Sequence, residues 1–306
     1  MSAVLLAWGL AGSGRLAATG QDATAGPAEA FDPQELERKL AAKGMALGKP
    51  ILIRIFKQEA QLEVWMDTGA QFELFATYPI CNWSGALGPK LSEGDKQSPE
   101  GLYSIGPRQL RRIGRWPRSL DIGYPNTFDR GLGRTGSYVL VHGGCTTTGC
   151  FAMTDPVIAE IFKLSEAALA RGQERIQVHA FPFRMTPENL AAHASSEWSA
   201  FWSNLKEAYD LFERSHMPPA VMVCNKRYVV GESAAADGGD CVANVSAAQV
   251  AVARWRSVAR LRRARLVQRV RSVRRAYAVA RVARRATVAR QRQALHSGSA
   301  RHRMPR

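Results

Sequence analysis

His142, Cys145 and Cys150 fall within one stretch, YVLVHGGCTTTGCFAMTD, running from Tyr138 to Asp155. A thiol beside an imidazole can perform nucleophilic acyl chemistry. It needs a reachable thiolate, a base to take its proton, and donors for the oxyanion that grows on the acyl group. His142 ends an apolar run, so the packing of a strand would aim its ring. Gly143 and Gly144 permit a positive φ, and Gly149 permits a tight turn that would aim successive N–H groups into one hollow. Thr154 reads as a helix N-cap with Pro156 just inside, which would bring a positive helix end near Cys150 and lower its pKa.

Blander readings fit the same residues. His142, Cys145 and Cys150 are three metal ligands on paper, but no fourth is evident nearby and C-x4-C is not a common zinc spacing. Cys145 and Cys150 also fit a small disulfide loop, and a histidine at a strand end is often purely structural. The total of five cysteines is odd. In an exported chain that leaves one of Cys81, Cys145, Cys150, Cys224 and Cys241 as a dimer link or a reactive thiol.

The elements around this stretch must hold it. ILIRIFKQEAQLEVWMDTGAQFELFATYPI contains three apolar or alternating runs with short polar breaks, the pattern of an antiparallel meander. A long Gly/Pro loop, GALGPKLSEGDKQSPEG, precedes a short strand at LYSIGP, and Arg108 to Gly136 reads as mostly irregular. SYVLVH is the buried strand that ends in His142. VIAEIFKLSEAALARG has helical period up to Gly172, IQVHAFPF is a strand, and TPENLAAH and EWSAFWSNLKEAYDLFERS are helices. AVMVCNKRYVV reads as a hairpin turning at Asn225-Lys226. Strands interrupted by inserted helices favour a mixed, β-rich α+β domain over a doubly wound sheet.

Charge divides the chain. The net +16 is concentrated after Cys241, where 18 Arg and no acidic residue give +18 and leave −2 for residues 1–240. At the other end, the apolar run Ala3 to Ala11, followed by Ala23 and Ala25, resembles a secretory signal peptide, although no Lys or Arg precedes the run. The expected organisation is a signal peptide over 1–25, a linker and short helix over 26–48, a catalytic domain over 49–231 and an Arg-rich tail over 232–306. Leu266, Val270, Val273 and Tyr277 would place one apolar face on a tail helix lying on an anionic membrane surface. A disordered basic extension and out-of-frame translation of GC-rich DNA read equally from the same monotony. Nucleic acid is not the expected target of an exported chain.

VHGG followed by CTTTGCFAMT resembles the active-site signature of the L,D-transpeptidase catalytic domain family, a strand-end His-Gly and then Ser/Thr-x-Gly-Cys. It resembles in particular the branch in which Ala-Met-Thr follows the cysteine. That branch includes a periplasmic enzyme that hydrolyses the diaminopimelate–protein link of an anchored lipoprotein. YPICNWSGALGPK, GDKQSPEGLYSI, PRQL, IGYPNTFDR, FPFRMT and PPAVMVCNKRYVV carry the resemblance across about Ile51 to Val230.

The resemblance implies a β-sandwich with inserted helices, Cys150 as nucleophile, His142 as base, Thr147 in the Ser/Thr position and Gly149 at the turn. It implies a periplasmic location and a peptidoglycan stem peptide containing diaminopimelate as substrate, with neither metal nor organic cofactor. Many members place an Arg two residues after the cysteine, where this chain has Ala152. Arg130 or Arg134, with Tyr124 and Asn126 on the same segment, are the expected replacements, against the reading of surface arginines. The acyl group would pass to an amine in a transpeptidase, or to water in an amidase that releases a peptidoglycan-linked lipoprotein. A non-catalytic wall-binding protein is the remaining alternative.

Overall fold

The computed structural model describes residues 30–231 and 241–243, so the expected signal peptide and most of the Arg-rich tail lie outside the described residues. Helix α1, Pro33–Ala42, begins where the Asp32 side chain accepts the Gln34 N–H at 2.8 Å, and it buries Leu36 and Leu40. The short helix of the expected linker therefore belongs to the domain core.

Strands β1 (Ile51–Phe56), β2 (Gln61–Asp67) and β3 (Phe72–Pro79) form the antiparallel meander read from the sequence. β5 (Gly101–Ile105) and β10 (Ile176–Phe181) complete a five-stranded sheet in the order β3-β2-β1-β10-β5, with β1 and β10 parallel. A second five-stranded sheet has the order β4-β9-β8-β7-β6. It is made of β4 (Asn82–Trp83), β6 (Leu110–Arg111), β7 (Ser119–Asp121), β8 (Leu140–His142) and β9 (Phe151–Ala152). The segment expected to be irregular thus supplies two short strands of the sheet that carries the candidate site. It also holds helix α2, Thr127–Gly131.

Alternation explains the layering. Ile51, Ile53 and Ile55 of β1 join Leu120, Val141 and Phe151 of the second sheet in one apolar cluster. Helix α3, Asp155–Ala170, adds Ile158, Ile161, Leu164 and Ala168 to it. The opposite face of β1 and β10 is covered too, so both strands are buried along their whole length, Arg54, Gln177 and His179 included. After the short helix α4 (Pro187–Ala192), helix α5 (Ser199–Ser215) buries Trp202, Leu205, Ala208 and Phe212. The fold is mixed α+β, as the sequence patterns imply, with the two sheets that the family resemblance implies.

β11 (Val221–Cys224) and β12 (Arg227–Val230) form the expected hairpin. Asn225 and Lys226 take φ of +50° and +59°, the pair of left-handed residues that a tight two-residue turn requires. β13 (Cys241–Ala243) pairs with β11, so ordered structure continues past the domain end expected at 231.

Candidate active site

The strand end does aim His142. Its ring is almost fully buried, with Nδ1 2.6 Å from the Gly143 carbonyl oxygen and Nε2 3.2 Å from Thr147 Oγ1. A carbonyl only accepts, so Nδ1 carries the proton and Nε2 presents a lone pair to the threonine hydroxyl. Thr147 Oγ1 in turn accepts the Cys150 N–H at 3.2 Å. The hydroxyl therefore links imidazole and nucleophile.

Cys150 is half-buried at the start of β9. Its Sγ accepts the Leu140 N–H at 3.3 Å and donates to the Tyr138 carbonyl at 3.7 Å. Burial pushes the thiol pKa up, against the smaller lowering by the Leu140 N–H and the Thr147 hydroxyl. The expectation of a thiolate stabilised by a helix end is thereby corrected. Desolvation outweighs the available donors. Burial also lowers the His142 pKa, partly offset by the Gly143 carbonyl and reinforced by the charge of Arg115. Both shifts favour the neutral forms, thiol and imidazole.

The glycines act differently from one another. Gly144 and Gly149 take φ of +85° and +91°, and Cys145 shares the left-handed region at +52°, but Gly143 does not. A side chain at Gly143 would instead strike the Asp155 carboxylate, so that position needs space rather than a special φ. The expected hollow of free N–H groups is filled by hydroxyls. Gly149 donates to Ser84 Oγ at 2.5 Å, while Cys150 donates to Thr147.

Sequence reasoning missed the clamp on the nucleophile's backbone. Ser98 Oγ donates to the Cys150 carbonyl at 2.7 Å and accepts the Ser84 N–H at 3.1 Å. Ser84 leads into the long Gly/Pro loop and Ser98 sits on it, and the loop is itself pinned by a fully buried ion pair. Lys57 Nζ reaches Glu100 Oε1 at 2.9 Å and the carbonyls of Ala86, Gly88 and Ser98 at 2.8, 2.9 and 3.0 Å. Glu100 also accepts from the Gly88 N–H and the Trp202 indole, both at 2.7 Å. Lone serines in a loop carry no periodicity, so no pattern pointed to them.

Two disulfides join Cys81 to Cys145 and Cys224 to Cys241, and Cys150 is the unpaired cysteine. Neither the three-ligand metal set nor a Cys145–Cys150 bridge exists, because Cys145 is bonded elsewhere. Among the described residues no group of three His, Cys, Asp or Glu is placed to hold a metal.

Two Escherichia coli proteins carrying the name "Putative L,D-transpeptidase YafK", from different strains, are each 44% identical to this chain over 190 residues, 62% of this chain and 77% of theirs. The chain belongs to the L,D-transpeptidase family. That places it among cell-wall enzymes. No family model matches the chain. The helical cell shape determining protein Pgp2 of Campylobacter jejuni aligns with a TM-score of 0.36 at 17% identity, over 58% of this chain and 64% of that one. Bd1075 of Bdellovibrio bacteriovorus aligns at 0.30 and 18%, over 55% and 62%.

Within this L,D-transpeptidase-family domain, the residues expected at the substrate are mostly engaged in the fold. Arg134 is buried, pairs with Asp129 at 2.9 Å and lies over the Phe128 and Phe201 rings. Asn126 caps α2 by accepting the Asp129 N–H, and donates to the Leu102 carbonyl and the Tyr228 hydroxyl. The Tyr124 hydroxyl lies 3.2 Å from both the Lys90 and Thr135 carbonyls. Arg130 is exposed and donates to the Pro125 carbonyl. Ala152 is fully buried in β9.

The loop from β6 to β7 instead approaches the catalytic pair. Trp116 stacks on His142 with ring centroids 4.4 Å apart, over Gly144, where any Cβ would meet that indole at 2.6 Å.

Proposed function

We propose that the protein is an exported cysteine acyltransferase acting on peptidoglycan stem peptides that contain diaminopimelate. The observation that carries this reading is the chain Gly143 carbonyl–His142–Thr147–Cys150, which fixes the imidazole tautomer and turns its basic nitrogen toward the nucleophile's neighbour. The name carried by the Escherichia coli relatives supports the same reaction class.

Cys150 Sγ attacks the scissile carbonyl, and the thiol proton passes through the Thr147 hydroxyl to His142 Nε2. Collapse of the tetrahedral intermediate breaks the C–N bond, and the imidazolium returns its proton to the departing amine. The thioester is then taken by an incoming amine or by water, with His142 accepting the proton of that second nucleophile. Starting from a neutral pair, proton transfer accompanies attack rather than preceding it. Two disulfides beside a free thiol suit the oxidising periplasm.

The test is mass spectrometry of muropeptides after incubation with the purified protein, a free diaminopimelyl acceptor and lipoprotein-linked sacculi. New cross-links are the result expected of amine transfer, and released protein without cross-links assigns the acyl group to water. No product, together with no thioester on Cys150, overturns the reading in favour of a non-catalytic wall-binding protein.

A further inference from the structure

Arg134 is held by Asp129, Arg130 turns back on the Pro125 carbonyl and Ala152 is buried, so the β6–β7 segment is the place to look for positive charge facing a substrate carboxylate. Two guanidinium groups meet that need on the flank of the second sheet. Arg111, at the end of β6, lies 4.9 Å from the Tyr138 ring centroid. Arg115, on the β6–β7 loop, lies 5.2 Å from that of Trp116. Each ring belongs to a residue that touches the catalytic pair. Trp116 stacks on His142, and the Tyr138 carbonyl accepts from Cys150 Sγ.

Both arginines are exposed. Neither side chain is held as Arg134 is: among the described residues no side-chain hydrogen bond or ion pair engages Arg111 or Arg115, although Asp121 feels the charge of Arg111. Tyr138 exposes 62% of its surface while holding φ at +53°, a conformation an aromatic residue rarely adopts. Such cost with so little burial marks a residue kept for something other than packing.

We propose that Arg111 and Arg115, backed by Tyr138 and Trp116, form the subsite that binds the free carboxylate of the acyl donor's diamino acid. An arginine stacked on a ring keeps its edge N–H groups free for bidentate pairing with a carboxylate, and the ring faces suit the aliphatic stem of the same residue. This assignment rests on the acyl-transfer reading for its substrate class.

Binding is measured to the full-length Cys150→Ala protein, using a synthetic diaminopimelate stem peptide and its carboxamide twin. The carboxylate form is expected to bind roughly tenfold or more tightly. Adding Arg111→Gln and Arg115→Gln is expected to erase that preference and leave affinity for the carboxamide unchanged. Equal affinity for the two peptides before the arginines are changed, including no affinity for either, overturns the subsite. So does a preference that survives both substitutions. Intact mass of the unmutated protein after incubation with the carboxylate peptide reads the underlying reaction separately. A missing thioester would sink acyl transfer and leave the binding result standing.

Discussion

The two loops flanking Cys150 are built on opposite principles. The loop before β5 is anchored from within by Lys57 and Glu100, both fully buried, and delivers Ser84 and Ser98 to the nucleophile's backbone. The β6–β7 loop is exposed, and Ile113 at 84% exposure contributes nothing to the core. One flank holds the thiol still, and the other is free to meet a ligand. Charge buried on one side and charge left in solvent on the other therefore do different work, although both are basic residues near one cysteine.

The comparison presupposes a reacting pair between the flanks. Cys150→Ala or His142→Ala should lower turnover of stem-peptide substrates by roughly 10³-fold or more with the circular dichroism spectrum unchanged. Near-normal turnover in Cys150→Ala would remove the reason to compare the flanks at all. Next in size is Lys57→Met, which strands the Glu100 carboxylate in the interior and should cost about 3–5 kcal/mol in urea unfolding. A loss within experimental error would mean that the ion pair does not anchor the loop.

Ser98→Ala leaves the Cys150 carbonyl and the Ser84 N–H without their partner, so a loss of about 1–3 kcal/mol is expected. Its rate effect should fall on kcat rather than KM, because the backbone of the nucleophile is displaced while the open flank is untouched. The matched change there, Arg115→Gln, should stay within about 0.5 kcal/mol of the parent stability. If the two substitutions cost the same, the flanks are not mechanically different.

The smallest effects are in pH. Burial raises the Cys150 pKa, so the thiol is protonated at neutral pH and its iodoacetamide labelling should be slow there and keep climbing above the range of an exposed thiol. Burial lowers the His142 pKa, so the imidazole stays neutral and able to accept a proton below the ordinary histidine value. The acid limb of kcat/KM should therefore lie under pH 6.5, the ordinary value for histidine. A labelling profile that levels off near neutrality would contradict the buried thiol.

Much of the fold was readable because local chemistry and tertiary structure agree. The meander has alternating or continuous apolar runs, and Asn225-Lys226 tolerates the turn its hairpin needs. The residues from His142 to Cys150 alone left a metal set and a small disulfide loop open, and it was the resemblance to the family signature that singled out His142 and Cys150. Partnerships across long separations were not legible. Arg134 looked like a free cation because nothing local says that α2 turns Asp129 back to meet it. Gly143 looked like a φ residue because crowding by Asp155 appears only once α3 is docked. The thiol looked activated because sequence proximity to α3 does not reveal that Cys150 is desolvated by the fold.

The Cys81–Cys145 link has a consequence for biogenesis. Cys145 lies five positions from the nucleophile and 64 from its native mate. In an unfolded chain, the entropy of loop closure favours the near encounter, which would oxidise the enzyme into a dead form. The distant partner arrives only when β4 pairs with β9, as the Cys81 N–H donates to the Ala152 carbonyl at 2.8 Å and the Cys145 N–H to the Met153 carbonyl at 3.2 Å. Strand assembly must therefore precede oxidation. Air oxidation of the reduced, urea-unfolded chain should yield a Cys145–Cys150 peptide on mapping, whereas oxidation after folding should leave Cys150 free. The sheet acts as a chaperone for its own nucleophile, occupying the rival thiol nearest to it in the chain.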